Sequence, residues 1–147
     1  MKLTFTKRDG KYDDLLIERS TGRDETIRCP KQGIIPHDMV HFAVESTLVH
    51  RGFLTLVADG NAAAFATKGG ESEEAIERLV ETFQAEMWGG RVPGSDLLAT
   101  YEHACDAHGH TAVDVTAEDI ERIRAAIDAL TDEWNNLPIN GTLVVEL

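Results

Sequence analysis

Two hydrophobic rhythms run along the chain. At its start, Leu3 and Phe5 share a face with Lys7 while Lys2, Thr4, Thr6 and Arg8 point the other way, the period-two pattern of a half-buried strand. Asp9-Gly10 marks a turn. Residues 13–19 carry Leu15, Leu16 and Ile17 as a second strand, and the polar stretch 20–24 turns the chain into a third at 25–29. From Pro36 the rhythm lengthens. Val40, Ala43, Val44, Thr47 and Leu48 fall at helical spacing over 37–50, with Pro36 suited to the first helical position.

The segment 53–65 fits a helix through Phe53, Leu56 and Val57, although Asp59-Gly60 between apolar runs also suits a hairpin; we read it as a helix ended by Lys68-Gly69-Gly70. Residues 71–88 place Ile76, Leu79, Val80, Phe83 and Met87 on one stripe, with Glu73, Glu77, Arg78, Glu81 and Gln84 away from it. Ser95 is the expected N-cap of a helix over 96–108, stopped by Gly109. Thr116 and Asp119 form a capping-box pair opening a last helix through Ile120, Ile123, Ile127, Leu130, Trp134 and Leu137. Trp88 and Trp134 both read as core. After Pro138 and Asn140-Gly141, residues 142–147 are β-branched and apolar, and are expected to pair with the first strands. The expectation is one α+β domain over 1–147, with an antiparallel sheet of about four strands, three N-terminal and one C-terminal, packed against four to five helices.

Composition changes little in that picture, but charge does. Among 147 residues, 42% are apolar and 27% charged, the balance of an ordinary globular protein. The net charge of −12 argues against a nucleic-acid partner, because phosphate backbones are gripped by Lys and Arg. Residues 1–35 carry eight Lys/Arg and six Asp/Glu, a net of +2, whereas 36–147 carry six and twenty, a net of −14. The acidity belongs to the helical part. Cys29 and Cys105 lie far apart and form no C-x-x-C pair, so free thiols are expected. No apolar run is long enough to span a bilayer and the first residues lack a signal-peptide core. A cytoplasmic protein without a membrane partner is the expectation.

The sharpest chemistry lies in 37–45. Residues four apart share a helix face, so His37, His41 and Glu45 form a polar ridge. Two histidines at that spacing can offer imidazoles to one divalent ion, zinc or another, and His37-Asp38-Met39-Val40-His41 partly matches H-E-x-x-H with Asp38 in place of Glu. The longer continuation is absent, since Val44 and Thr47 occupy those positions. Glu45 lies too far from His37 along the helix for all three to ligate comfortably, so a further ligand would come from His50, His103, His108, His110 or Glu71. The first helical turn carries about half a positive charge, which favours Asp38 and disfavours a cation. In the plainer alternative, Asp38 complements the helix start, His41 bonds a neighbouring backbone and Glu45 is solvated. The same helix start could receive an anion assisted by Arg28 and Lys31. A second cluster, His103, Cys105, Asp106, His108 and His110, has metal-ligand residue types without a recognised ligand spacing.

The stretch Ile35-Pro36-His37-Asp38-Met39-Val40-His41-Phe42 resembles a motif, Pro-His-Asp-(Leu/Met)-Val-His-(Phe/Tyr), of a family of small bacterial proteins that open with a similar β-meander. The resemblance covers about the first sixty residues. It implies a bacterial cytosolic protein and transfers no catalytic residue. The expected function is a non-catalytic binding or regulatory module, its ligand a protein or small molecule approached through His37, His41 and Glu45, with no cofactor. The alternative is a metal-dependent hydrolase with His37 and His41 as ligands and Asp38 or Glu45 as base. A third reading has the acidic helical face docking a basic protein, and the stripe of the last helix leaves a homodimer open.

Overall fold

The alternation at the start of the chain becomes three strands, β1 (Lys2–Thr6), β2 (Tyr12–Glu18) and β3 (Glu25–Pro30), in a computed structural model that describes residues 1–48, 52–61, 63 and 70–147. A fourth, β4 (Thr142–Glu146), completes an antiparallel sheet of order β3-β2-β1-β4. The C-terminal strand therefore pairs with β1, as expected. Register follows burial: Leu3 lies opposite Ile17 and Val145, and Phe5 opposite Leu15 and Leu143. Leu3, Phe5, Leu15, Ile17 and Leu143 are buried, so one face of the sheet joins the core, each such side chain contributing about 1.5–3 kcal/mol. A one-residue slip would turn all of them to solvent.

Five helices are described, α1 (His37–Leu48), α2 (Phe53–Ala58), α3 (Glu71–Gly89), α4 (Gly94–Ala107) and α5 (Ala117–Asn135). Helix α1 packs between α3 and α5, α4 touches α3 and α5 on the far side, and α2 lies on α1. Buried side chains of sheet and helices form one cluster. This α+β arrangement surrounds α1, whose Met39, Val40, Ala43 and Val44 are all fully buried. Any polar residue on its remaining face must find polar partners, because an unpaired buried polar group costs several times what a typical hydrogen bond contributes.

Several local expectations are corrected. Pro36 precedes α1 and its carbonyl accepts from Met39 N at 2.9 Å. Among the described residues of 53–65 the helix covers Phe53–Ala58, ended by Asp59 and by Gly60 at φ 103°; residues 62, 64 and 65 and the expected stop at 68–69 lie outside the described residues, as does His50. Ser95 is not the cap of α4, which begins at Gly94, two residues earlier than expected, with Pro93 at the N-cap and no side-chain cap. Trp88 is 57% exposed; its indole N–H donates to the Gln32 carbonyl at 3.1 Å, and Trp134 alone of the two is core. Lys7 leaves the strand, its ammonium donating to the carbonyls of Trp134 and Leu137 at 3.0 and 3.2 Å, where a cation suits the negative end of α5. The capping box of α5 forms as expected, Asp119 N donating to Thr116 Oγ1 and Thr116 N to the Asp119 carboxylate. Its stripe from Ile120 to Trp134 is buried within the chain, which removes that surface from a homodimer. No described helix is long and apolar enough to cross a membrane.

Candidate metal centre

The i, i+4 spacing on α1 does put His37, His41 and Glu45 on one face, and that face looks inward. His41 is 2% and Glu45 3% exposed, so Glu45 is not solvated and the ridge offers solvent only the edge of His37. Opposite stands a residue of α3, Glu77, whose side chain is 16% exposed against 37% for His37.

Donor atoms of three residues converge there. His41 Nε2 lies 2.7 Å from Glu77 Oε2 and 3.1 Å from His37 Nε2, and His37 Nε2 lies 3.3 Å from Glu77 Oε1. Two atoms each about 2.1 Å from one ion can be no more than about 4.2 Å apart, so all three separations fit a single cation. Among the described residues this is the one group of its kind. The imidazoles meet edge to face, with centroids 4.7 Å apart at 76°.

The other nitrogen of His41 is already committed. Nδ1–H donates to Glu45 Oε2 at 3.0 Å, and the Glu45 carboxylate also accepts from Leu54 N at 3.2 Å, Thr55 N at 3.0 Å and Thr55 Oγ1 at 2.9 Å. With both its oxygens engaged, Glu45 holds a ring in place rather than serving as a free base. Burial pulls the His41 imidazole down, but the bonds to Glu45 and Glu77 outweigh it and lift it to about 10, so a proton sits between the two carboxylates. Burial likewise pushes Glu77 up, and the bonds from His37 and His41 overcome it, holding the carboxyl below its ordinary range.

The remaining candidates stay apart. Asp38 sits in the first turn of α1, where its carboxylate accepts from the Cys29 thiol at 3.9 Å. Burial, with Asp38 and Asp13 beside it, pushes that thiol up to about 12, and both cysteines are free and buried. Arg28 lies over the Tyr12 ring and Lys31 beside Asp13, so neither assists the start of α1. His108 faces Arg78, its ring stacked 6.2 Å from that of His110; His103 is exposed and Glu71 accepts from Thr111 N. None of these joins His37.

Glu77 is the residue that sequence reasoning assigned to the solvent face. Glu73, Glu77, Val80 and Gln84 share a flank of α3, and the structure buries Glu73 and Gln84 as well as Val80, so the inward face is wider than the apolar stripe that the sequence shows. Comparison with known protein families, curated proteins and solved structures returned no match, and the motif resemblance rests on its residues alone.

Proposed function

We propose that this protein is a metal-dependent hydrolase whose divalent ion is held by His37, His41 and Glu77. The observation that carries this reading is the 2.7 Å approach of His41 Nε2 to Glu77 Oε2 while Nδ1 is occupied by Glu45. A neutral His41 in that tautomer would set a lone pair against a carboxylate oxygen, so the contact calls for a positive charge between them, which the His41 proton supplies in the absence of metal and a bound ion would supply by ligation. Two imidazoles and a carboxylate suit zinc, manganese or iron. Three protein ligands leave at least one position for water, as catalytic rather than structural sites do, and His37 gives that position a route to solvent. The ion would lower the pKa of its water and polarise a substrate carbonyl or phosphoryl oxygen.

Asp38 and Glu45 drop out as bases, Asp38 because it faces Cys29 and Glu45 because its oxygens are taken. The non-catalytic module is the competing reading, favoured by the raised imidazole, which makes His41 a purely structural cation between two carboxylates. Elemental analysis and calorimetric titration of tag-free protein with zinc, manganese and ferrous ions separate the two. Stoichiometric binding, abolished in Glu77→Gln and in His37→Ala, with ester or amide hydrolysis that follows metal content, is the expected result. Absence of binding of every ion, with His41 doubly protonated at pH 8 by NMR, would overturn the hydrolase in favour of the structural clamp.

A further inference from the structure

The short helix α2 contributes no ligand, yet its first turn is built around the centre. We infer that Glu45 is the positioning residue of the metal site and that α2, acting through Glu45, sets how tightly the site holds its ion. The inference rests on the metal reading above.

The N-cap of α2 is Gly52, which has no side chain to cap the helix. The cap comes instead from α1: the Glu45 carboxylate accepts from the second and third helical N–H groups, Leu54 and Thr55, and from the Thr55 hydroxyl, the donors an N-cap side chain ordinarily serves. Space enforces this arrangement. A Cβ on Gly52 would lie 2.3 Å from Glu45 Cδ and 2.6 Å from Oε1, whereas its backbone, at φ −127° and ψ −167°, is extended and open to any residue. Glycine is needed there because the carboxylate fills the place of a side chain.

The far end of α2 is fixed as well. Arg19 donates through Nε to the Val57 carbonyl at 2.7 Å and through Nη2 to that of Asn61 at 3.0 Å, and its guanidinium pairs with Glu25. At its first residue, the Phe53 ring meets His41 edge-on with centroids 6.0 Å apart. So α2 is tied to the sheet at one end and to the centre at the other. Its N–H groups fix the carboxylate, which fixes the His41 ring and tautomer and thereby aims Nε2 at Glu77. Outer partners of this kind change metal affinity by about 10–100-fold when removed.

The test uses zinc titration and the visible spectrum of the cobalt-substituted protein. Glu45→Gln and Gly52→Ala, the second touching no ligand, should each weaken zinc binding about 10–100-fold and alter the cobalt spectrum, and Thr55→Val should do so less. Ile123→Val in the α5 core should lower stability while leaving affinity and spectrum unchanged. In the wild type, zinc should slow amide hydrogen exchange at Leu54 and Thr55. Wild-type zinc affinity and an unaltered cobalt spectrum in both Glu45→Gln and Gly52→Ala would overturn the inference while sparing the metal reading; failure of the wild type to bind any metal would overturn both.

Discussion

Two histidine clusters in this chain have nearly the same residue types and opposite surroundings. At the end of α4, His103, Cys105, Asp106, His108 and His110 crowd into eight positions, yet Cys105 turns into the core while His103, Asp106 and His108 are exposed. On α1 only two histidines occur, but a second helix brings Glu77 to them and Glu45 stands behind. A cluster with the geometry to hold a cation therefore depends here less on ligand density along the chain than on convergence from two elements, where an imidazole held by a carboxylate has one nitrogen left to offer.

The largest expected break in this contrast is His41→Ala. It leaves Glu45 and Glu77 facing a hole without their shared cation, and losing one partner of a buried charged pair costs about 3–5 kcal/mol; urea unfolding of the metal-free protein measures it. The pH response comes next. His41 is lifted from 6.5 to about 10, so its stabilisation is complete below pH 6.5 and is lost as pH rises through 10. Glu77 is lowered from 4.5, so its share is present above pH 4.5 and is lost as the solution is acidified below that value. Metal-free protein should accordingly be most stable between these limits, falling off on both sides. Zinc affinity should do the reverse on the alkaline side, rising with pH because ligation displaces the His41 proton; an affinity flat between pH 6 and 8 would contradict this. The smallest effect belongs to the α4 cluster: His108→Ala with His110→Ala should change stability by no more than about 0.5 kcal/mol each and leave metal content untouched.

What was legible in the sequence was local. The Thr116–Asp119 cap, the strand alternation at Leu3, Phe5, Leu15 and Ile17, and the shared face of His37, His41 and Glu45 each depend on residues a few positions apart, where helix and strand periods dictate geometry. The partner of that face was not legible, because Glu77 lies on the flank of a stripe whose width only the packing of α1 against α3 determines. The same limit explains Trp88, read as core from its place in α3 but 57% exposed, with its indole N–H on the Gln32 carbonyl. Ser95 failed as a cap for a backbone reason, since the helix already begins at Gly94 after Pro93. The inward turn of Glu45 was equally hidden, being fixed by α2 nine and ten residues further on.

The pairing of β1 with β4 also sets an order of events. The two strands that lie side by side, Lys2 against Glu146 and Thr6 against Thr142, come from opposite ends of the described chain. Contacts of such long sequence separation close a large loop and slow folding. During synthesis the hairpin of β1 and β2 can zip early, but one edge of β1 must wait, its N–H and C=O groups unsatisfied, until residues 142–146 arrive. An exposed edge of that kind is where strands of different molecules join. Lys2, Lys7 and Arg8, at and just beyond the ends of β1, are charges of the kind that discourage such joining.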